Sequence, residues 1–212
     1  MLSAISYIIP DMTKKPLYLN GVIVGEVEQT GDPQKDIQMG RDFLESKGLL
    51  KEITVPQVMF RQARSFANTA SYLQRGLLQI PANALDFAPF VVNSTFSIEL
   101  YLKILLTLAG RSNKACGHSL LDLYEKLPSD TKVAMLSAAK QAAKKYQVRV
   151  EQLSDLRNLV SALDKAFVEW RYLYEKSSTP VFQFWEAILV MDAADETCRA
   201  FLGANTELTR AV

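Results

Sequence analysis

Along most of the chain the apolar positions recur at helical spacing, and only near the start do they alternate. Leu17-Tyr18-Leu19, then Asn20-Gly21, then Val22-Ile23-Val24 reads as a β-hairpin, because Asn-Gly suits the two positive-φ positions of a type I′ turn. Ile5, Tyr7 and Ile9 show weaker alternation of the same kind. Asp32-Pro33 predicts a helix start and Lys47-Gly48 its end, with Ile37, Phe43 and Leu44 as the apolar side. Residues 51–55 are expected to return as a short strand. Residues 1–53 therefore predict a small α/β extension of low independent stability.

From Thr54 onward the period is helical. Thr54 as N-cap, with Pro56 close behind, opens a helix whose Met59, Ala63, Phe66, Ala70, Leu73 and Leu77 share one stripe. Ile80-Pro81 breaks it. Residues 94–109 are apolar on nearly every side, with Thr95, Glu99, Lys103 and Thr107 as one narrow polar line, so this helix belongs at the centre of a bundle. Gly110 fits its C′ position. A polar loop over 111–117 leads to a short helix over 119–127, with Ser119 and Asp122 as a capping box and Pro128 as its stop. Ser129 then caps an alanine-rich helix that ends near Tyr146. A long helix over 150–175 carries Leu163, Phe167, Trp170 and Tyr174 on one face. The last begins near Pro180 and buries Phe184, Ile188, Met191, Cys198 and Phe201, and residues past Asn205 are expected to fray. The fold class expected is mainly α: an antiparallel bundle of about six helices over 54–212, carrying the N-terminal β-hairpin/α extension.

Composition narrows the function classes. The chain has 212 residues, 49% of them hydrophobic, which is enough to close a core and excludes disorder. A net charge of +1 argues against a general polyanion binder. The charge is nevertheless uneven: residues 111–150 hold eight basic and three acidic side chains, while 151–212 hold six basic and ten acidic. The basic stretch suits phosphates or a solvated helix face, and the opposed signs suit packing of one subunit on another. Two cysteines, Cys116 and Cys198, exclude a disulfide framework and point to a reducing compartment, so the cytoplasm is expected. The most apolar stretch, 98–110, contains Glu99 and Lys103 and falls short of a membrane span, and no basic flank precedes Ile5 to mark a secretory signal. With His118 as the single histidine and only Cys116 beside it, no metal site is expected. Glycine-rich phosphate loops, nucleophile elbows and paired glycosidase carboxylates are absent, and no cofactor is expected.

Four side chains remain as candidate chemistry. His118 follows Gly117 at a helix start near Arg111 and Lys114, where an imidazole and free helix N–H groups suit an anion; its blander reading is a capping or packing residue. Glu99 and Lys103 lie one turn apart on an apolar helix, where desolvation obliges them to find partners. Arg171-Tyr172-Leu173-Tyr174-Glu175 is the densest polar-aromatic cluster, and Arg171 and Glu175 have the spacing of an ordinary helical ion pair. Glu99, Lys103, His118 and Arg171 are expected to converge across helices, with Tyr172 and Lys114 as further ligand contacts.

Three segments carry a family resemblance. Phe96-Ser97-Ile98-Glu99-Leu100-Tyr101-Leu102-Lys103-Ile104-Leu105-Leu106, then Gly117-His118-Ser119-Leu120-Leu121-Asp122-Leu123-Tyr124, then Phe167-Val168-Glu169-Trp170-Arg171-Tyr172-Leu173-Tyr174-Glu175 resemble, in that order, the acidic-aliphatic-lysine helix, the histidine-led helix and the late Arg-Tyr segment of the HEPN superfamily. The resemblance covers about residues 60–202 and implies an antiparallel helical bundle, often a homodimer. It also implies a place among the RNases of defence and toxin–antitoxin systems or among their inactive relatives that bind a nucleotide, RNA or a partner protein. Active members carry Arg, four to six residues, then His on a late helix. Here Arg111 and His118 have that spacing in the loop before a mid-bundle helix, and Arg171 on the late helix has no histidine after it. The expectation is a non-catalytic binding module with His118 and Arg171 as contacts. The alternatives are a metal-independent endoribonuclease using Arg111 and His118, and a purely structural helical dimer.

Overall fold

Strands β1 (Lys14–Leu19) and β2 (Val22–Glu28) pair antiparallel in the computed structural model of the chain, with Leu19 opposite Val22 and an irregularity in register between Leu17 and Tyr18. The structure describes residues 14–19, 21–50, 53–112, 117–146, 155–175, 177 and 181–203. The alternation read at Ile5, Tyr7 and Ile9 lies outside them, as does Asn20 of the turn. Its partner Gly21 has φ +80°, the left-handed backbone that the hairpin needs. Helix α1 (Pro33–Ser46) begins where Asp32 accepts the N–H groups of Gln34 and Lys35, and Gly48 at φ +64° follows its end. The Phe43 ring closes on Gly25 so tightly that a Cβ there would sit 2.2 Å from it. Of the expected apolar side, Phe43 and Leu44 are half-buried, but Ile37 faces solvent. The strand expected over 51–55 does not form in its described part. Ile53 and Thr54 belong to no strand, and Val55 is already helical because Gln57 Oε1 takes the Thr54 N–H and turns the chain.

The chain divides into two compact units, Met1–Ile53 and Thr54–Val212. In the second, α2 (Val55–Leu77) and α3 (Phe87–Leu108) are the long opening pair. They are followed by α4 (Leu120–Glu125), α5 (Ser129–Lys145), α6 (Leu156–Leu163), α7 (Ala166–Arg171) and α8 (Phe184–Gly203). Helix α3 packs against α2, α4, α7 and α8, and α5 packs against α8. The result is a mainly helical chain with a small antiparallel hairpin near its start.

Three boundaries differ from expectation. Helix α3 begins seven residues earlier than its uniform apolar run, because a 3-10 turn over Ala84–Asp86 leads into it and Pro89 falls in the first turn, where no N–H is needed. With that turn, Ala84–Leu108 is long and apolar enough by length and composition to cross a membrane, which the shorter reading had excluded; 67% of its apolar window is buried among the other helices, as in a core helix. Its Ser94, Thr95 and Ser97 are buried too, and their hydroxyls donate back to the carbonyls of Val91 and Ser94. Helix α5 takes Ser129 as its first helical residue, so Pro128, with no side chain to cap, stands at the N-cap. The long helix expected over 150–175 is broken at Asp164-Lys165 into α6, α7 and a 3-10 turn over Leu173–Glu175, with 150–154 outside the described residues. Leu163, Phe167 and Trp170 are buried as expected, whereas Tyr174, past the break in helical phase, is exposed.

Helix α8 buries Ile188, Met191 and Cys198 and keeps Phe184 and Phe201 half-buried. Asp195 joins three helices: it accepts from the Tyr101 hydroxyl of α3 at 2.9 Å and from Arg199 Nε at 2.7 Å, with Arg64 of α2 4.0 Å away. Burial, with the Asp195 charge beside it, pushes the Tyr101 hydroxyl and the Cys198 thiol well above their ordinary values. Since only the thiolate reacts, Cys198 in a Cys116→Ser variant is expected to resist a disulfide reagent at pH 8 and to react fully in denaturant. Fast labelling of the native variant would contradict the packing of α8 on α3.

Candidate functional site

The polar line of α3 is buried at Thr95 and at Glu99, and only Glu99 brings a charge inside. Glu99 is 1% exposed, yet it is not isolated: Lys103 Nζ, one turn on, lies 2.6 Å from Oε1. His118 Nδ1, from the residue preceding the N-cap of α4, lies 3.1 Å from both Oε1 and Oε2. A carboxylate only accepts, so the imidazole proton facing it sits on Nδ1 and the lone pair on Nε2. With its side chain 61% exposed, the imidazole is anchored at one nitrogen and open to water at its outer edge.

The other wall is aromatic. The His118 ring lies 5.8 Å from the Phe167 ring of α7, centroid to centroid, and Phe96 of α3 stacks on Phe167 at 5.2 Å. Arg171, one turn after Phe167, places its guanidinium 4.9 Å from that ring centre and 4.7 Å from the Tyr172 ring, and donates to the Tyr172 hydroxyl at 2.9 Å. Tyr174, exposed, meets Tyr172 edge-on at 6.3 Å. Of the four expected partners, Glu99, Lys103 and His118 are thus joined directly, and Arg171 joins them through Phe167.

Two expectations about this region are corrected. Arg171 and Glu175 do not form one helical turn, since α7 ends at Arg171, and the guanidinium lies over the rings of Phe167 and Tyr172. Two N–H groups at the start of α4, those of Leu121 and Asp122, are not free for an anion either. Asp164 Oδ1 accepts the Leu121 N–H at 2.9 Å and the Ser119 hydroxyl at 2.9 Å, while Ser119 Oγ accepts the Asp122 N–H at 3.1 Å. The carboxylate of the α6–α7 break already fills the position a phosphate would take.

Arg111 is drawn elsewhere: it donates to the Lys126 carbonyl at the far end of α4. By the rise of a six-residue helix that end lies roughly 10 Å from its start, where His118 sits. Other members of the basic stretch are likewise engaged, Lys132 with Glu125 at 3.6 Å and Lys145 with Asp192 at 3.2 Å, while Lys140 and Lys144 are exposed. The Arg157 hydrogen bond holds the Glu125 carboxyl below its usual range. Lys114 and Cys116 lie outside the described residues. Among the described residues no group of three His, Cys, Asp or Glu side chains is placed to hold a metal ion.

The sequence reading had placed Phe167 in the core without seeing that it carries both His118 and Arg171, and had missed Asp164 altogether. The only signal for the latter was an Asp-Lys pair interrupting an apolar run, which does not name a partner 43 residues away. No family model, no curated protein and no solved structure matches the chain.

Proposed function

We propose that the Thr54–Val212 unit is a HEPN-like, non-catalytic module that binds a phosphate-bearing ligand, RNA or a nucleotide, on the face formed by His118, Arg171 and Tyr172. The observation that carries this reading is the single buried carboxylate of Glu99 holding both Lys103 and His118. Lys103 balances the Glu99 charge, so the ring-supported guanidinium of Arg171 adds positive charge where a ligand arrives, and the outward Nε2 of the imidazole can accept a ligand hydroxyl. A guanidinium lying over aromatic rings keeps N–H donors at its rim for phosphate oxygens. Tyr172 and Tyr174 offer rings on which a base can stack. The position of Arg111, which donates to the Lys126 carbonyl, favours binding over the particular cleavage that would pair Arg111 with His118.

The test is fluorescence anisotropy with a labelled uridine 12-mer and with nucleotides, in EDTA, across a salt series. The expected result is salt-sensitive binding of intact RNA. Arg171→Ala should weaken it about tenfold, whatever the sequence, and lower the salt slope by about one. No binding by any of these probes would sink the reading. The Glu99–His118 bond does favour one second reading, since a carboxylate-oriented imidazole is a general base in geometry. RNA cleavage in EDTA that disappears in His118→Ala would establish the ribonuclease in its place.

A further inference from the structure

We infer that Asp164 is the positioning residue of His118, acting through the first turn of α4. This rests on the reading of His118 as a ligand contact and extends it to a residue that touches no ligand. The argument begins with length. Helix α4 has six residues, too few to hold its own direction, so the orientation of the segment before it must come from tertiary bonds. Asp164 supplies two of them from one oxygen, to the Ser119 hydroxyl and the Leu121 N–H. Ser119 is the residue next to His118, so the same carboxylate fixes the backbone from which the imidazole departs.

Asp164 is placed for this by the break it occupies. It closes α6 and, with Lys165, turns the chain into α7, which carries Phe167 only three residues later. The carboxylate that clamps the start of α4 and the ring on which His118 rests therefore belong to one short stretch of chain. The imidazole is held at three points: Glu99 at Nδ1, Phe167 at the ring, and Asp164 through the backbone. Loss of the third leaves the 3.1 Å bond to Glu99 dependent on a loop. Asp164 also lines a cavity of about 320 Å³ with Ser161, Lys165, Glu169 and Trp170, so truncating its side chain opens onto water rather than leaving a sealed void.

The chain has a single histidine, so a nitrogen-15 spectrum of the imidazole contains one ring and no assignment problem. In the wild type we expect Nδ1 to show the shift of a protonated nitrogen and Nε2 that of a bare one, the tautomer that Glu99 selects. Asp164→Ala should average the two nitrogens toward the free-imidazole mixture and bring the affinity for the uridine 12-mer toward that of His118→Ala. Asp164→Asn, whose amide oxygen can still accept both donors, should restore both readouts. A merely structural cap would lower the melting temperature and leave the tautomer untouched; a wild-type imidazole spectrum in Asp164→Ala overturns the inference. If that variant does not fold, Ser119→Ala, which removes one of the two bonds to Asp164 together with the cap on the Asp122 N–H, must shift the same resonances or the inference is wrong. If the wild type binds no RNA, the binding reading fails by itself, and the imidazole spectra still decide the role of Asp164.

Discussion

Glu99→Ala is expected to destabilise the helical unit by about 3 kcal/mol, because removing one partner of a buried pair leaves the other charge without compensation. Lys103 keeps its side chain 22% exposed, which puts the cost at the lower end of the range for fully buried pairs. For a unit of this size the melting temperature should fall by about 6–12 °C. Glu99→Gln should cost less, since the amide oxygen can still accept from Lys103 or from His118, though not with full charge on both. A double replacement, Glu99→Leu with Lys103→Met, should recover much of the loss, because a well-packed apolar pair rivals a buried ion pair in stability. It should not recover the orientation of His118, whose Nδ1 would then have no carboxylate to face. Calorimetry of the three variants separates these effects. If the alanine variant melts within 2 °C of wild type, the carboxylate is not the buried hub described here.

Phe167→Ala is expected to cost more still, about 3–5 kcal/mol, the usual range for deleting a buried aromatic ring. Phe167 is 8% exposed and contacts Phe96, His118 and Arg171 with the same ring. Its removal takes away the surface over which the guanidinium lies, so affinity for RNA should fall along with stability. Phe167→Leu keeps most of the volume and should lose less of both. The two variants divide packing from recognition: leucine should restore most of the melting temperature but not the cation–ring contact with Arg171. Full RNA affinity in Phe167→Ala, measured at a temperature where it remains folded, would show that Arg171 needs no such platform.

Much of the architecture was legible because helical period, capping residues and turn glycines are local properties of a chain. Thr54 before Pro56, Ser119 with Asp122, and Asp32 before Pro33 each marked a helix start within a few residues. The polar line of α3 was equally legible, and desolvation alone required Glu99 to have partners. The misplaced boundaries have separate causes. The α6–α7 break looks like helix from its own residues and is bent by bonds to Ser119 and Leu121, which belong to another part of the chain. Helix α3 starts early because Pro89 is harmless in a first turn and harmful anywhere later, and only the location of the start distinguishes the two.

What sequence by itself determined, then, is the mainly helical unit with its apolar central helix, the hairpin near the chain start, and the chemical kinds of side chain available to a site: one imidazole, one acid–amine pair, one Arg-Tyr cluster. Their periodicities and charges are properties of neighbours along the backbone. Tertiary structure alone decided that Glu99 takes His118 as its second donor, that Arg171 reaches them only through Phe167, and that Arg111 caps the far end of α4. Those outcomes depend on which of several donors can reach a buried carboxylate once the helices are packed, a competition among residues dozens of positions apart that no local pattern records.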